Sequence, residues 1–324
     1  MIKVAHLLDD NRVGGVVQHL KLFRHERLLE VAESTVVPVD TSKPGVRIGA
    51  DIMVLHLTMS WRKLPFLLGL RLSNPRAFII LEEHSYTEGF ERHCVRTARR
   101  FRLMLRLAYR LVDRVVAVSE AQGGWMARLG LVPPRKLSVI PMARETDSFE
   151  SLPSPWARGP IRLGLLGRFA PQKGIDHAIR AVRGLSGIEL VIGGYGPMED
   201  ELRTLAEGAP NITFAGKVED PRSFIGSIDA LLMTSRYEAF GLTGLEARAA
   251  GRPLIAYEVD GLADQLAAGG GIAVPAGDEA AMRETLERLT ADDIERLIPA
   301  ARCGAHECYD KQVEAWRELL GTCR

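Results

Sequence analysis

Short apolar segments alternate with helical patterns along this chain, and the alternation runs through two successive series. The segments of the first series are 3–8, 51–57, 77–81, 114–118 and 137–141, and those of the second are 161–166, 189–192, 212–214, 230–233, 253–256 and 271–274. Strands alternating with helices predict parallel sheets covered on both faces. A stretch with three prolines, residues 150–160, separates the series and predicts a linker. We therefore predict an α/β protein with two Rossmann-like domains that face a central cleft.

The same pattern predicts domain boundaries in a chain of 324 residues, which is long enough for two domains. The first domain is predicted to cover residues 1–150 and the second residues 151–305. The remaining segment, 306–324, contains a helical pattern whose apolar face is formed by Val313, Trp316, Leu319 and Leu320. This face needs an apolar partner, and we expect the helix to pack towards the first domain. A cap on the second domain fits the pattern equally well.

Composition narrows the class of protein. The net charge of +1 gives no indication of a nucleic-acid partner. The four cysteines form no CxxC pair and no set with metal-ligand spacing, which is typical of a reducing compartment. The first residues already form an apolar strand, so we predict no signal peptide, and no apolar run approaches the roughly 20 residues that span a bilayer. We expect a soluble cytoplasmic protein.

The segment Glu238–Glu246, with the sequence EAFGLTGLE, places two carboxylates eight positions apart between a predicted strand and a predicted helix. Eight residues at a helical rise span roughly 12 Å. That is about the length of a sugar plus a diphosphate, and the helix N-terminus between the carboxylates suits phosphates. An ordinary strand–helix turn, flanked by one solvated glutamate and one glutamate on the helix surface, explains the segment equally well.

Glycines and cations follow other predicted strands. In the segment LGLLGRFAPQKG, Gly167 allows a tight exit from the strand, and Arg168 and Lys173 follow on the loop. Such a pair suits a diphosphate, with solvated loop cations as the alternative. The glycine pair that ends at Gly15 lets a backbone approach an anionic ligand, or forms a simple turn. The segment GGYGP at 193–197 lacks the third glycine of a dinucleotide fingerprint, and a tight turn is favoured.

One histidine stands at the end of a predicted strand. His84 follows the strand 77–81, a position that suits ligand binding, with a structural role as the alternative. His6 and His56 lie inside strands, and we predict packed or subsurface positions for them. The other histidines form no ligand set with each other: His19, His25, His93, His177 and His306. We therefore predict no metal site.

Residues 92–114 form a strongly basic stretch with eight arginines, interleaved apolar residues and a single acid, Asp113. Arginines at helical spacing beside apolar residues predict a basic amphipathic helix, which suits an anionic membrane surface. An anionic acceptor and a solvated helix face are the alternatives. The first of these interpretations predicts a peripheral protein at the inner face of the membrane.

The order of these segments resembles that of the retaining glycosyltransferases of the GT-B fold, family 4. The resemblance is carried by the glycine pair at Gly14 and Gly15, His84, GRFAPQKG, GGYGP, Glu238 with Glu246, and GRPLIA at 251–256. It covers nearly the whole chain and is strongest between residues 161 and 261. It implies that the second domain holds a nucleotide-sugar donor, that the first holds the acceptor, and that the last helix crosses back to the first domain.

The resemblance also implies roles for residues that hold the nucleotide. Glu246 is expected to bind the ribose hydroxyls. Arg168 and Lys173 are expected to hold the diphosphate together with the backbone N–H groups of Leu242 and Thr243. Two cations and a helix N-terminus meet the charge that develops on the leaving phosphate, so no metal ion and no cofactor are expected.

Further implied roles concern the sugar. Glu238 is expected to bind hydroxyls of the donor sugar, in a pocket shaped by Phe240 and Gly241. His84 corresponds to the first-domain histidine that contacts this sugar near the reacting centre, and Gly15 to the residue that approaches the phosphates. Retention without a protein nucleophile implies front-face attack guided by the leaving phosphate.

The chain departs from the family pattern at two positions. Gln172 stands where an acid is common, and Ala239 stands where glycine is usual. The predicted activity is transfer of a hexose from a UDP- or GDP-sugar, with UDP preferred, to a glycan, lipid-linked or small-molecule acceptor. Two alternatives are an NAD(P)-dependent oxidoreductase, which needs a complete GxGxxG, and a non-catalytic nucleotide-sugar-binding protein.

Overall fold

The computed structural model describes residues 1–9, 19–155 and 159–323, and it divides into two compact units. The first unit combines Met1–Arg144 with Cys308–Arg324, and the second is the continuous segment Glu145–Glu307. The predicted boundaries, by comparison, lie at 150/151 and 305/306. The first unit is therefore built from two separate segments of the chain.

The first unit contains a six-stranded parallel sheet with the order β2-β1-β3-β4-β5-β6. Its strands are β1 (Ile2–Leu8), β2 (Ala32–Pro38), β3 (Ile52–Leu55), β4 (Phe78–Glu83), β5 (Arg114–Ala117) and β6 (Leu137–Val139). The sequence patterns predict only five of these strands and miss β2. This strand lies at the edge of the sheet and is largely exposed, so it lacks the apolar run that marks a strand buried on both faces.

The second unit contains another six-stranded parallel sheet, with the order β12-β11-β10-β7-β8-β9. Its strands are β7 (Ile161–Leu166), β8 (Ile188–Gly193), β9 (Ile212–Gly216), β10 (Ala230–Met233), β11 (Leu254–Tyr257) and β12 (Gly271–Val274). The prediction of two parallel α/β sheets is confirmed.

Helices connect the strands and cover the sheets. In chain order the α-helices of the described segments are α1 (Glu26–Leu29), α2 (Leu64–Ser73), α3 (Glu88–Cys94), α4 (Ala98–Leu111), α5 (Glu120–Arg128), α6 (Asp147–Glu150), α7 (Ile175–Val182), α8 (Glu199–Ala206), α9 (Pro221–Gly226), α10 (Leu242–Ala249), α11 (Asp260–Ala267), α12 (Glu279–Arg288), α13 (Ala291–His306) and α14 (Cys308–Thr322). Among these described helices, none combines the length and the apolar character needed to cross a bilayer.

The last helix, α14, packs on the sheet of the first unit. Its apolar face is buried in one cluster with Val4 and Ile52 of the central strands. The ring of Trp316 meets that of Phe23 edge to face, with centroids 5.0 Å apart. The side chain of Gln312 accepts a hydrogen bond from the backbone N–H of Ala143 at 3.1 Å. This burial accounts for the apolar stripe of the sequence.

Each sheet has a point at which the strand order reverses. In the first unit β1 lies between β2 and β3, and in the second unit β7 lies between β8 and β10. The loops that leave the two strands on either side of such a point diverge and open a crevice at the carboxyl ends of the strands, where ligands of α/β sheets bind. In the second unit these are the loops after β7 and β10, and in the first unit those after β1 and β3.

Candidate functional site

The loop after β7 is fixed against the loop after β10. Gly174, which precedes α7, has a left-handed backbone with φ of 58°. A Cβ atom there would lie 2.0 Å from the carbonyl oxygen of Thr234, so only glycine fits. Gln172 adds two hydrogen bonds. Its side-chain amide donates to the backbone carbonyl of Tyr237 at 3.2 Å, and its backbone carbonyl accepts from the N–H of Arg236 at 2.8 Å. The residue that departs from the family pattern thus joins the two loops.

The GGYGP segment supports the loop that carries Arg168. A Cβ atom on Gly194 would lie 1.9 Å from the carbonyl oxygen of Gly167. The N–H of Phe169 donates to the carbonyl of Tyr195 at 2.9 Å, and the N–H of Gly167 donates to that of Gly193 at 3.0 Å. The two loops form a continuous backbone contact, which explains these glycines as a packed turn.

The two predicted phosphate ligands differ in their surroundings. Arg168 is exposed, whereas Lys173 is half-buried and its Nζ lies 2.5 Å from Oε2 of Glu238. The hydroxyl of Ser235 donates to the same oxygen at 3.4 Å. The structure therefore brings Lys173 and Glu238 together, although the sequence predicts different ligand groups for them. A ligand phosphate would compete with Glu238 for Lys173, and a ligand hydroxyl would compete with Lys173 for Glu238.

The start of helix α11, which follows β11, holds the backbone of Glu238. The N–H of Glu238 donates to Oδ2 of Asp260 at 3.2 Å, and its carbonyl accepts from the N–H of Gly261 at 3.0 Å. Asp260 has a positive φ of 40°, which is uncommon for a residue with a side chain. A Cβ atom on Gly261 would lie 2.3 Å from the carbonyl oxygen of Ala239. The sequence patterns miss this anchor because it depends on the order of the strands.

Helix α10 begins beside Glu238 at a glycine. Gly241 has φ of 89°, and the side-chain amide of Gln265 donates to its carbonyl at 2.9 Å and to that of Phe240 at 2.7 Å. Because glycine offers no side-chain acceptor, it cannot cap the first N–H groups of the helix. Leu242 and Thr243 are partly exposed there. The arrangement favours an anion at this end of the helix.

Glu246 lies one turn into α10 and is only 5% exposed. The alternative of a glutamate on the helix surface is therefore wrong. Carboxylate oxygens near a helix N-terminus can accept hydrogen bonds from hydroxyl groups.

The predicted site residues of the first unit fall into two groups. His84 lies directly after β4 and is described below. Gly14 and Gly15 lie outside the described residues.

A cluster of imidazoles surrounds Glu82 at the carboxyl ends of β1, β3 and β4. Oε1 of Glu82 lies 2.9 Å from Nε2 of His19, and Oε2 lies 3.2 Å from Nδ1 of His56 and 3.5 Å from Nε2 of His84. Nδ1 of His56 lies 3.1 Å from Nε2 of His84, and Nε2 of His56 lies 3.0 Å from Nδ1 of His6. His6 and His56 are buried as predicted, but the sequence gives no sign that they share a cluster with His84.

The electrostatics of this cluster follow from burial. Burial lowers the pKa of His56 to about 4, against the opposing effect of Glu82. Burial likewise lowers the pKa of His6 well below its ordinary value. For Glu82, burial raises the pKa, but the nearby His19 and His84 outweigh it and hold the pKa well below the usual range. The cluster therefore contains an ionised carboxylate and neutral His6 and His56 at neutral pH.

The arginine-rich stretch forms two helices, α3 and α4, where the sequence predicts one. Thr87 caps α3 by accepting a hydrogen bond from the N–H of Phe90. The helix ends at Cys94, and residues 95–97 separate it from α4. Arg102 pairs with the buried Glu91, so part of the positive charge of the stretch is neutralised internally.

Residues 160–292, which contain the loops after β7, β10 and β11, match the family model described as Glycosyl transferases group 1. The lipopolysaccharide core biosynthesis glycosyltransferase LpsE of Rhizobium meliloti is 32% identical over 167 residues, 48% of this chain and 48% of that protein. Phosphatidyl-myo-inositol mannosyltransferase of Mycobacterium leprae is 34% identical over 221 residues, 62% of this chain and 56% of that protein. The chain spans about half the length of these curated relatives.

Solved structures share the architecture over the full chain. Anabaena Alr3699/HepE, in complex with UDP and glucose, has a TM-score of 0.76 at 15% identity, over 99% of this chain and 100% of that one. Sucrose-phosphate synthase from Thermosynechococcus elongatus has a TM-score of 0.75 at 18% identity, over 99% and 98% of the two chains. The protein has the GT-B fold, as predicted. Within that fold, the match to the glycosyl transferases group 1 model lies in residues 160–292, which belong to the second unit.

Proposed function

We propose that this protein is a retaining glycosyltransferase that moves a hexose from a nucleoside diphosphate sugar to a glycan, lipid-linked or small-molecule acceptor. The observation that carries the proposal is the group of residues where the strand order of the second sheet reverses. Arg168, Lys173 and the start of α10, which has no side-chain cap, lie there with the two buried carboxylates Glu238 and Glu246. This is a site for an anionic group attached to groups rich in hydroxyls.

In this proposal the diphosphate lies against the N-terminus of α10. Its charge is met by Arg168, Lys173 and the N–H groups of Leu242 and Thr243. Because charge builds up on the leaving phosphate during transfer, donors that are already fixed in place stabilise the transition state more than the bound substrate. No metal ion is needed at the phosphates for this step. Retention would follow from attack on the face from which the phosphate leaves.

The two carboxylates are proposed to bind hydroxyl groups at opposite ends of the diphosphate. Glu246 binds the ribose, and Glu238 binds the hexose beside Phe240 and Gly241. When the donor binds, Lys173 exchanges Glu238 for a phosphate oxygen, which releases the carboxylate for the sugar. We also propose His84 as a contact of the donor sugar and Gly15 as a contact of the phosphates, as the family resemblance implies.

A UDP-sugar is the proposed donor. Support comes from Anabaena Alr3699/HepE, which shares the fold and whose structures are complexes with UDP, with UDP and glucose, and with UDP-glucose. These structures are 14–15% identical to this chain, so the donor is tested directly. Parallel titrations with UDP, GDP and NAD⁺ therefore form part of the test.

The proposal is tested by calorimetric titration of UDP into the wild-type protein and into Glu246→Gln and Arg168→Ala variants. We expect each substitution to weaken UDP binding by at least about ten-fold, which is roughly 1.4 kcal/mol. Arg288→Ala is the matched control, since this arginine pairs with Glu284 on the exposed helix α12. Unchanged UDP affinity in both site variants would refute the assignment, and binding of NAD⁺ in place of UDP would favour the oxidoreductase alternative.

The first unit is further proposed to bind an anionic membrane surface through α3 and α4. Supporting evidence is an exposed face on which Leu103 and Leu107 lie among arginines and Arg100 stacks over the ring of Trp61. Apolar side chains between cations are typical of interfacial helices. Flotation with phosphatidylglycerol vesicles should recover the wild-type protein at low salt, and an Arg99→Glu, Arg110→Glu variant should remain unbound. Equal recovery with neutral phosphatidylcholine vesicles would contradict this proposal.

A further inference from the structure

We infer that His56, Glu82 and His84 form a binding site for one divalent transition-metal ion of the Zn²⁺ class. The inference differs from the sequence-based prediction that the chain has no metal site. It concerns the first unit alone and does not depend on the proposed transfer activity.

The first argument is the separation of the three candidate ligand atoms. Nδ1 of His56, Nε2 of His84 and Oε2 of Glu82 are separated pairwise by 3.1, 3.2 and 3.5 Å. Tetrahedral Zn²⁺ binds imidazole nitrogen and carboxylate oxygen at about 2.0–2.2 Å, so its ligand atoms lie roughly 3.3–3.6 Å apart. The three atoms therefore already form one face of a coordination tetrahedron, without movement of the backbone.

The second argument is that Glu82 lacks well-aligned hydrogen bonds. Its side chain is fully buried, and imidazole nitrogens approach both oxygens to 2.9 and 3.2 Å. Within the described residues, however, no donor has the angle of a hydrogen bond to either oxygen. Nδ1 of His56 is instead aligned towards Nε2 of His84. A buried carboxylate at close range to nitrogens but poorly aligned with them is costly unless a cation occupies the point where they converge.

The third argument is the set of groups around the three ligands. Nε2 of His56, the ring nitrogen opposite the ligand atom, meets Nδ1 of His6 at 3.0 Å. Oε1 of Glu82, the other carboxylate oxygen, meets Nε2 of His19 at 2.9 Å. Metal-binding imidazoles usually have a hydrogen-bond partner on their far side, which fixes the ring, and His6 is that partner for His56. Histidines that served only to pack the core would not need their ring nitrogens to face each other and the carboxylate in this way.

The choice of metal follows from the ligand atoms. Two imidazoles and one carboxylate are the ligand set of many zinc centres with an open fourth position. Mg²⁺ and Ca²⁺ prefer oxygen ligands, so two nitrogens disfavour them. Co²⁺ accepts the same ligands as Zn²⁺ and absorbs visible light more strongly in four-coordinate than in six-coordinate sites. It therefore serves as a probe of the geometry.

The test begins with the full-length protein after dialysis against a chelator. Titration of Zn²⁺ by calorimetry should show one high-affinity site per chain, and Co²⁺ should produce the strong visible absorption of a four-coordinate centre. Mg²⁺ should not compete. A wild-type protein that takes up neither ion in stoichiometric amount overturns the inference, and this result requires no variant to fold.

Variants then assign the site. We expect His56→Ala and Glu82→Gln to abolish the visible band of Co²⁺, and His6→Phe, which removes only a far-side partner, to weaken Zn²⁺ binding roughly 10- to 100-fold. His177→Ala is the matched control, because this histidine also lies beside two carboxylates, those of Asp176 and Glu279. Stoichiometric binding that persists in His56→Ala and Glu82→Gln, or that is lost in His177→Ala, contradicts the assignment.

Discussion

The contact between Lys173 and Glu238 links two functions in one pair of side chains. Each group is the preferred partner of the other while no ligand is bound, and each has a different proposed target in the donor. Their separation of 2.5 Å and partial burial make the pair stronger than a surface ion pair. Neutralising one partner should therefore change the affinity for the nucleotide and the affinity for the sugar in opposite directions.

The variant Glu238→Gln tests this coupling. We expect it to bind UDP at least as tightly as the wild-type protein, because Lys173 no longer has a carboxylate competitor. We expect binding of the intact UDP-sugar and transfer to fall by about ten-fold or more, since a charged hydrogen-bond acceptor is lost. Calorimetry with UDP and with the UDP-sugar separates the two effects, and a parallel loss of both affinities would contradict the exchange.

Gly174 provides a second prediction at the scale of one residue. Gly174→Ala forces a side chain into a left-handed conformation and against the carbonyl of Thr234. Gly184 also has a left-handed backbone, with φ of 78°, but nothing lies within 4 Å of an added Cβ atom. Gly184→Ala should therefore lower the free energy of unfolding only by the cost of the left-handed conformation, about 1–2 kcal/mol. Gly174→Ala should lower it clearly more, because the added methyl group also meets the carbonyl of Thr234. Urea denaturation measures both losses of stability. Equal losses would show that the loop after β7 accommodates the added methyl group at no further cost in free energy.

The buried histidines predict acid sensitivity of the metal-free protein. The folded-state pKa of His56 is about 4, below the ordinary value of 6.5, so the unfolded chain binds more protons between these values. The free energy of unfolding should fall as pH decreases from 6.5 to 4, by about 3 kcal/mol for His56 alone. His6 acts in the same direction, and Glu82 adds a loss below pH 4.5. A His56→Gln variant should lose less stability than the wild-type protein between pH 6.5 and 4.5, with His6 accounting for the loss that remains, and an unaltered profile in that variant would contradict this explanation.

At the scale of elements, the sequence predicts most strands because their patterns agree with the fold. Each central strand is buried on both faces and reads as an apolar run, for example IMVL in β3 and ALLM in β10. The edge strand β2 has no such run and is missed. The histidine cluster is missed for another reason, since it depends on the register that aligns His6 with Val54 and Val54 with Ile80.

The apolar face of α14 predicts a large loss of stability on truncation. Trp316 is completely buried against Phe23, so Trp316→Ala should cost about 3–5 kcal/mol through a large cavity. Trp61→Ala is the control, because Trp61 is 38% exposed and its ring stacks under Arg100, a contact that contributes about 0.5–1 kcal/mol. Chemical denaturation followed by circular dichroism compares the two, and similar losses would mean that α14 contributes little to the first unit.

At the scale of the whole molecule, repetition made the architecture predictable. Two series of strand–helix units separated by a proline-rich linker leave few alternatives to two parallel sheets. The sequence predicts Arg168, Glu238 and Glu246 as site residues because they follow strand patterns, and the structure places the two strands, β7 and β10, next to each other. It does not predict the Lys173–Glu238 ion pair or the Asp260 anchor, because contacts between segments that are distant in sequence depend on positions that no local pattern encodes.

Two ligands should act on separate parts of this molecule. Hydrogen exchange measured with UDP should show protection in the loops after β7 and β10 and at the start of α10. Exchange measured with Zn²⁺ should show protection at the ends of β3 and β4, around His56 and His84. Protection by UDP at the ends of β3 and β4, or by Zn²⁺ in the loops after β7 and β10, would contradict these two assignments.

The position of α14 in the first unit has a consequence for synthesis on the ribosome. The second unit is one continuous segment, Glu145–Glu307, whereas the first needs residues from both sides of it. During translation the apolar surface around Val4, Phe23 and Ile52 stays uncovered until Trp316 has left the exit tunnel and α14 can pack on it. Domains usually mature in the order in which they are synthesised, but here the later unit can be finished before the earlier one. The nascent first unit thus keeps an uncovered apolar surface for the whole time that the second is made, and this surface is where a chaperone is expected to bind.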